Sequence, residues 1–100
     1  MIKGAKNKKM LAQILNDIHL YKESHGCFDC KNKFPHYVLE FDHKPEYDKI
    51  DVVYRVLRTY GPEAAWAEVA KCDVVCSNCH KIRTYMREFG ESFDTKRKAG

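Results

Sequence analysis

The sequence has no apolar run approaching the roughly 18 residues that a membrane-spanning helix needs, so no membrane segment is predicted. It shows no internal repeat and no low-complexity linker, which argues against repeat architectures and tethered domains. Residues 1–9 contain neither the apolar segment nor the small-residue cleavage site of a secretory signal. We therefore expect an intracellular, cytoplasmic protein whose five cysteines stay reduced rather than forming disulfides.

The chain is also short of material for a large core, because it has only 100 residues and 32% of them are charged. A chain of this length forms a single domain with a thin stability margin, and a metal often supplies the missing stability. We predict one domain over residues 1–100. Its predicted parts are a basic N-terminal helix (1–24), a core (25–90) that contains a helical insert (46–71), and a loose tail (91–100).

The positive charge is concentrated at the two ends of the chain. The formal net charge is +4, and the first ten residues carry four lysines, including Lys8 and Lys9, with no acidic residue. Basic ends can serve solubility alone. They also suit a nucleic-acid partner, whose phosphates need cations.

Apolar residues recur at helical spacing in four segments. The expected boundaries follow from capping residues and from Gly and Pro. The predicted helices are residues 8–22, a segment with the apolar stripe Ile50, Val53, Tyr54 and Leu57, residues 63–70 after Gly61-Pro62, and a last helix that begins at Ser77 and stops at Gly90.

Two other segments have strand character. Residues 37–42 alternate apolar and acidic side chains towards their end, and Pro45 then stops the pattern. Val74-Val75 is a short apolar run that suits a brief strand. Strands and helices together predict an α+β fold.

The last predicted helix has one apolar face. Ile82, Tyr85, Met86 and Phe89 lie at i, i+3, i+4 and i+7, which predicts a buried stripe. Asn78 is in register with them and is expected to face inward.

The opposite face of that helix is basic. His80 lies about 200° from the apolar stripe by helical geometry and shares its side with Arg83, Thr84 and Arg87. An imidazole flanked by guanidinium groups suits a phosphate site. A solvated basic surface is the alternative.

Two C-x-x-C pairs, Cys27/Cys30 and Cys76/Cys79, are separated by residues 31–75. Each pair can aim two sulfurs at one point, and four thiolates form the tetrahedral set that structural zinc prefers. A redox motif or reduced core cysteines are the alternatives. Cys72 is expected to be a small buried residue. Such a zinc ion has no open position, so it is not expected to be catalytic.

Residues with catalytic chemistry stand beside these cysteines. Asp42-His43 ends the predicted strand, and His80 directly follows Cys79. A carboxylate and an imidazole can hold a divalent metal, and a second imidazole can deprotonate water because its pKa is close to neutral. This set suits phosphodiester hydrolysis. Asp42-His43 alone is a weak signal.

The combined motif resembles the HNH endonucleases, and is most similar to the small zinc-bearing versions of bacteriophages and mobile elements. The resemblance covers roughly residues 25–88. It is carried by Cys27-x-x-Cys30, by Leu39-Glu40-Phe41-Asp42-His43, and by Lys71-Cys72-Asp73-Val74-Val75-Cys76-Ser77-Asn78-Cys79-His80.

The resemblance implies a ββα-metal (His-Me finger) fold. It implies that His43 is the general base and that Asp42 and His80 hold one catalytic ion, Mg²⁺, Mn²⁺ or a similar metal. Asn78 is the best match for the middle asparagine of the motif, which orients the loop; in many members that residue lies further upstream. The insert 46–71 also departs from compact members.

The sequence is therefore interpreted as a metal-dependent DNA endonuclease that nicks or cuts both strands, with zinc as a structural ion. DNA-binding residues are expected to be Lys8, Lys9, Lys81, Arg83 and Arg87. The alternative is a zinc-knuckle protein that binds DNA, or a phage packaging partner such as terminase, without cutting. A phage-encoded protein would act in the host cytoplasm.

Overall fold

A computed structural model describes residues 8–90 of the chain. The described residues form a small mixed α+β structure, which confirms the predicted fold class at that level. The predicted tail 91–100 lies outside the described residues. In chain order the elements are α1 (Lys8–His25), a 3₁₀ turn (His36–Val38), β1 (Leu39–His43), α2 (Val53–Tyr60), α3 (Pro62–Val69), β2 (Cys72–Cys76) and α4 (Ser77–Phe89).

The two strands form an antiparallel sheet in which Leu39 is paired with Cys76 and His43 with Cys72. The first strand was predicted over 37–42, but Tyr37 and Val38 belong to the 3₁₀ turn instead. Pairing begins at Leu39 because its partner Cys76 is the last strand residue before α4. The short strand predicted around Val74-Val75 is confirmed and spans five residues.

The four predicted helices are present, with shifted ends. α1 continues to His25 because the residue that breaks it is Gly26, whose φ of +71° favours glycine. A Cβ atom at this position would lie 2.9 Å from the carbonyl oxygen of Asn32. Ile50 was predicted in the second helix but precedes it and is exposed. No helix within residues 8–90 is long and apolar enough to cross a membrane.

The core has two parts that meet at Tyr21 and Phe41. The larger part joins α1 to the helical pair α2–α3, and Ile18 and Leu57 are fully buried there. The smaller part lies beneath the cysteine pairs. Its buried members are Cys27, Leu39, Val74, Val75 and Cys76.

The predicted burial of one α4 face is wrong. Ile82 and Phe89 are 54% and 61% exposed, Tyr85 and Met86 are also exposed, and no residue of α4 is fully buried. Asn78 is exposed as well, against the prediction that it faces inward.

The basic side of α4 faces the sheet instead. Arg83 and Arg87 contact Asp42 on β1, and Arg83 also reaches Asp29 and Asp73. Three carboxylates lie where α4 crosses the sheet, so ion pairing determines which face of the helix turns inward. Helical spacing cannot report charges on another element.

Truncation of one buried core residue and of one apolar residue of α4 tests whether the apolar side of α4 is exposed. Leu57→Ala is expected to reduce the free energy of unfolding by about 2–5 kcal/mol, because it removes fully buried methyl groups. Ile82→Ala is expected to change it by less than about 0.5 kcal/mol, since the side chain is exposed. Denaturant unfolding measures both. An equal loss in the two variants would contradict the described placement of α4.

Candidate functional site

Four cysteines from three parts of the chain converge at one end of the sheet. Cys27 and Cys30 lie in the turn after α1, Cys76 ends β2, and Cys79 lies in the first turn of α4. Their four sulfur atoms all lie within 4.8 Å of one another. This cluster can hold a metal ion such as zinc, as the spacing predicted.

Backbone amides near this cluster stabilise the ionised form of Cys27. The Cys30 amide lies 3.4 Å from the Cys27 sulfur, and the Cys27 amide donates to the Asn32 carbonyl to close the turn. Burial opposes ionisation of Cys27, but hydrogen bonds from the Cys30, Cys76 and Asp29 backbone outweigh it and lower the Cys27 pKa to about 6. Burial and the neighbouring sulfurs raise the pKa of Cys79. Several thiolates can therefore coexist here only if a cation compensates their charge.

The fifth cysteine lies apart from the cluster. Cys72 is buried at the opposite end of β2, with its sulfur 3.4 Å from the Glu68 carbonyl oxygen. Burial raises its pKa to about 12. The prediction that Cys72 is a small buried residue is confirmed.

Two carboxylates of β1 contact His80. Glu40 Oε1 lies 2.5 Å from His80 Nδ1, and Asp42 Oδ1 lies 3.4 Å from His80 Nε2. Both acids point to the same side of the strand because they are two residues apart. Glu40 also accepts a hydrogen bond from Ser77, the first residue of α4. Glu40 therefore orients the His80 ring so that Nε2 points towards Asp42.

Asp42 is a buried carboxylate with two arginine partners. Arg87 donates to both of its oxygens at 2.9 and 2.7 Å, and Arg83 donates to Oδ2 at 2.7 Å. Burial opposes the negative charge, but the hydrogen bonds from Arg87 and Arg83 outweigh it and lower the Asp42 pKa to about 2. Asp42 is therefore ionised at neutral pH.

His43 turns to the other side of β1, towards α3. Its Nε2 atom lies 2.9 Å from Oε2 of Glu68, whose side chain is completely buried. The Ile50 amide donates to the same oxygen, and the Lys71 ammonium lies 2.9 Å from Oε1. Burial opposes the Glu68 charge, but Lys71, the Ile50 amide and His43 outweigh it, so the Glu68 pKa is lowered.

Sequence reasoning did not identify Glu68. A glutamate in a short helix is ordinary, and nothing near it in the chain carries chemistry. The one available signal was its position in the inward stripe of α3, where Ala65, Glu68 and Val69 are all buried.

The predicted general base His43 and the predicted metal ligand His80 line one cavity. It has a volume of about 280 Å³ and lies between β1, the start of α2 and the first turn of α4. Glu40, Lys22 and Lys49 line it together with His43 and His80. Folding therefore brings together histidines that are 37 positions apart in the chain (80 − 43).

The other predicted site residues lie outside this cavity. Asn78 and Lys81 are exposed on α4, and Lys8 and Lys9 are exposed in the first turn of α1. Arg83 and Arg87 contact carboxylates, as described above. Comparison with known protein families, curated proteins and solved structures finds no match for this chain.

The cysteine cluster and Cys72 make a matched pair for testing metal binding. Cys76→Ser is expected to lose the metal and the cooperative melting transition, because metal binding and folding are coupled in such small sites. Cys72→Ala is expected to keep the metal, since its sulfur lies outside the cluster. Metal analysis and thermal melts of purified protein measure both. A native melt of metal-free Cys76→Ser protein would refute a stabilising metal.

Proposed function

We propose that this protein is a metal-dependent DNA endonuclease of the HNH type, with a ββα-metal core formed by β1, β2 and α4. The observation that supports it most is the convergence of the β1 end with the first turn of α4. His43 and His80 line one cavity there, and Asp42 contacts His80. The resemblance of the motif assigns hydrolytic roles to these three residues.

In this proposal the cysteine cluster holds a structural zinc ion. Four thiolates complete a tetrahedral site and leave no position for water or substrate. When bound, the ion would hold the turn after α1 against the start of α4. Its role is to keep His80 against β1.

The residues of the second site fit a hard divalent ion such as Mg²⁺ or Mn²⁺. Asp42 supplies a carboxylate oxygen and His80 a ring nitrogen, 3.4 Å apart, and both can serve one ion. Arg87 must release Oδ1 of Asp42 for this to occur, since it donates to that atom. When bound, the ion would neutralise charge that develops on the phosphate.

His43 is the proposed general base, and Glu68 is its proposed positioning residue. The carboxylate beside Nε2 favours a proton on that nitrogen, which leaves the lone pair on Nδ1. His43 then takes a proton from water at Nδ1, and Glu68 stabilises the resulting imidazolium. Because Glu68 is buried among fixed partners, the ring orientation is established before substrate binds.

One observation favours a second candidate, a zinc-knuckle protein that binds DNA or a packaging partner without cutting. Arg83 and Arg87 occupy both oxygens of Asp42. A carboxylate that has lost a catalytic ion would be neutralised in this way. Plasmid nicking with added Mg²⁺ or Mn²⁺ decides between the candidates, because a pure binder retains DNA without relaxing supercoils.

Removal of the general base tests the enzymatic proposal. His43→Ala is expected to reduce nicking of supercoiled plasmid by about 10²–10⁴-fold, the usual value of general-base catalysis. His25→Ala is the control, since His25 is exposed and its described contacts are with Tyr21 and Ser24 of the same helix. Melting curves should show both variants folded. If folded His43→Ala protein nicks plasmid as fast as the wild type, His43 is not the general base.

Removal of the Glu68 charge tests the positioning role. Glu68→Gln is expected to lower kcat about 10- to 100-fold, as loss of a histidine-orienting partner does elsewhere, while KM stays nearly constant. Glu63→Gln, an exposed substitution on the same helix, is the control. Steady-state cleavage and NMR assignment of the His43 tautomer measure the effect. A variant that loses stability while kcat per folded molecule and the tautomer stay unchanged would make Glu68 purely structural.

A further inference from the structure

A second, larger groove opens beside the site cavity. It lies between α1 and α2, is also lined by the 3₁₀ turn, and has a volume of about 560 Å³. Lys22, Val52 and Tyr54 line both this groove and the cavity that contains His43 and His80. The two spaces are therefore adjacent and are bordered by the same three residues.

The groove carries positive charge. Arg55 and Arg58 line it with exposed side chains, and the described residues lining it include no carboxylate. Lys22 also borders it, but this lysine is buried and its ammonium donates to the Leu39 carbonyl oxygen. Arg55 contacts Asp51 at 3.6 Å, but its side chain is 69% exposed, so that pair is weak. Arg83 on α4 differs, because its guanidinium contacts three carboxylates. The groove is thus better able than that arginine to accept phosphates.

Aromatic rings line the same groove. The imidazoles of His19 and His36 are stacked, with ring centres 3.7 Å apart and planes 10° from parallel. Tyr37 meets His36 edge-on at 5.6 Å and is 76% exposed, so a face of its ring is open. Exposed rings beside cations are typical of surfaces that bind unpaired bases and their backbone.

We propose that this groove binds a single-stranded segment of nucleic acid and leads it to the His43–His80 cavity. Bases stack on Tyr37, and phosphates contact Arg55 and Arg58. The apolar floor, which includes Leu11 and Leu15, suits bases rather than the hydrated exterior of a duplex. The proposal rests on the proposed function only for the reaction that follows binding.

The length of the groove agrees with a short strand. Leu11 and Lys22 line it from the same helix, and their 11-residue separation corresponds to about 16 Å along the axis. A strand with a spacing of about 3.4 Å per nucleotide would place four or five nucleotides over that length.

Binding is tested with the metal-loaded, full-length protein, without added divalent ions or chelator, so that no cleavage occurs. The probes are a fluorescein-labelled 12-nucleotide single strand and the matching duplex, followed by anisotropy across a salt series. Two variant pairs are compared. Arg58→Ala and Lys31→Ala each remove one exposed cation, from the groove and from the segment that follows α1. Tyr37→Ala removes the ring, and Tyr37→Phe keeps it.

The single strand is expected to bind at least tenfold more tightly than the duplex. Tyr37→Ala should weaken binding of the single strand about tenfold or more, because it removes the ring on which bases stack. Tyr37→Phe should bind normally, because it keeps that ring. Arg58→Ala should reduce the salt slope by about 0.7 for the lost phosphate contact. Lys31→Ala should leave binding unchanged, because Lys31 is not among the residues that line the groove.

Equal affinity for the duplex, or a larger effect of Lys31→Ala than of Arg58→Ala, would overturn the groove proposal. Normal binding by Tyr37→Ala would do the same. These outcomes are distinct from failure of the nuclease proposal. If binding depends on the groove but the protein does not nick plasmid, the nuclease proposal fails and the groove proposal stands. If the protein nicks plasmid but its groove variants bind normally, the groove proposal fails and the nuclease proposal stands.

Discussion

The close approach of four cysteine sulfurs is the constraint on which the rest of the structure depends. It joins the turn after α1 to the β2–α4 junction, across 45 intervening residues (31–75). β1 lies between these segments in the chain and pairs with β2, so its first residue, Leu39, lies beside Cys76 at the β2–α4 junction. α4 then runs along the sheet, and Arg83 and Arg87 reach Asp42 near the other end of β1. A metal ion held by the four sulfurs would stabilise a domain with so small a core, because the cost of ordering a short chain is large relative to the apolar area that it buries.

Electrostatics organises the space that this constraint creates. The β1 end presents acids to α4 on one side and His43 to α3 on the other. The two buried carboxylates have counter-charges: Asp42 has two arginines, and Glu68 has Lys71 and His43. Breaking such a pair leaves an uncompensated charge and is costly. The proposed base and the proposed metal ligands are thus held by separate networks on opposite sides of a single strand.

This arrangement also separates the functions of the basic residues. The arginines of α4 neutralise carboxylates near the sheet, whereas Arg55 and Arg58 face a groove whose described lining has no acid. Positive charge in a sequence therefore does not by itself identify a nucleic-acid surface. What matters is whether each cation already has a partner at short distance, because a paired cation must lose that partner before it can bind phosphate.

The sequence by itself determined the order and type of the elements and the identity of the four cysteines that meet. Local periodicity and Gly or Pro positions report helices and strands, and repeated C-x-x-C spacing reports a shared ligand point. It did not predict that α4 turns its arginines inward, that Asn78 is exposed, or that Glu68 contacts His43. These features were decided only by the tertiary structure, because each depends on charges and side chains that distant elements bring together.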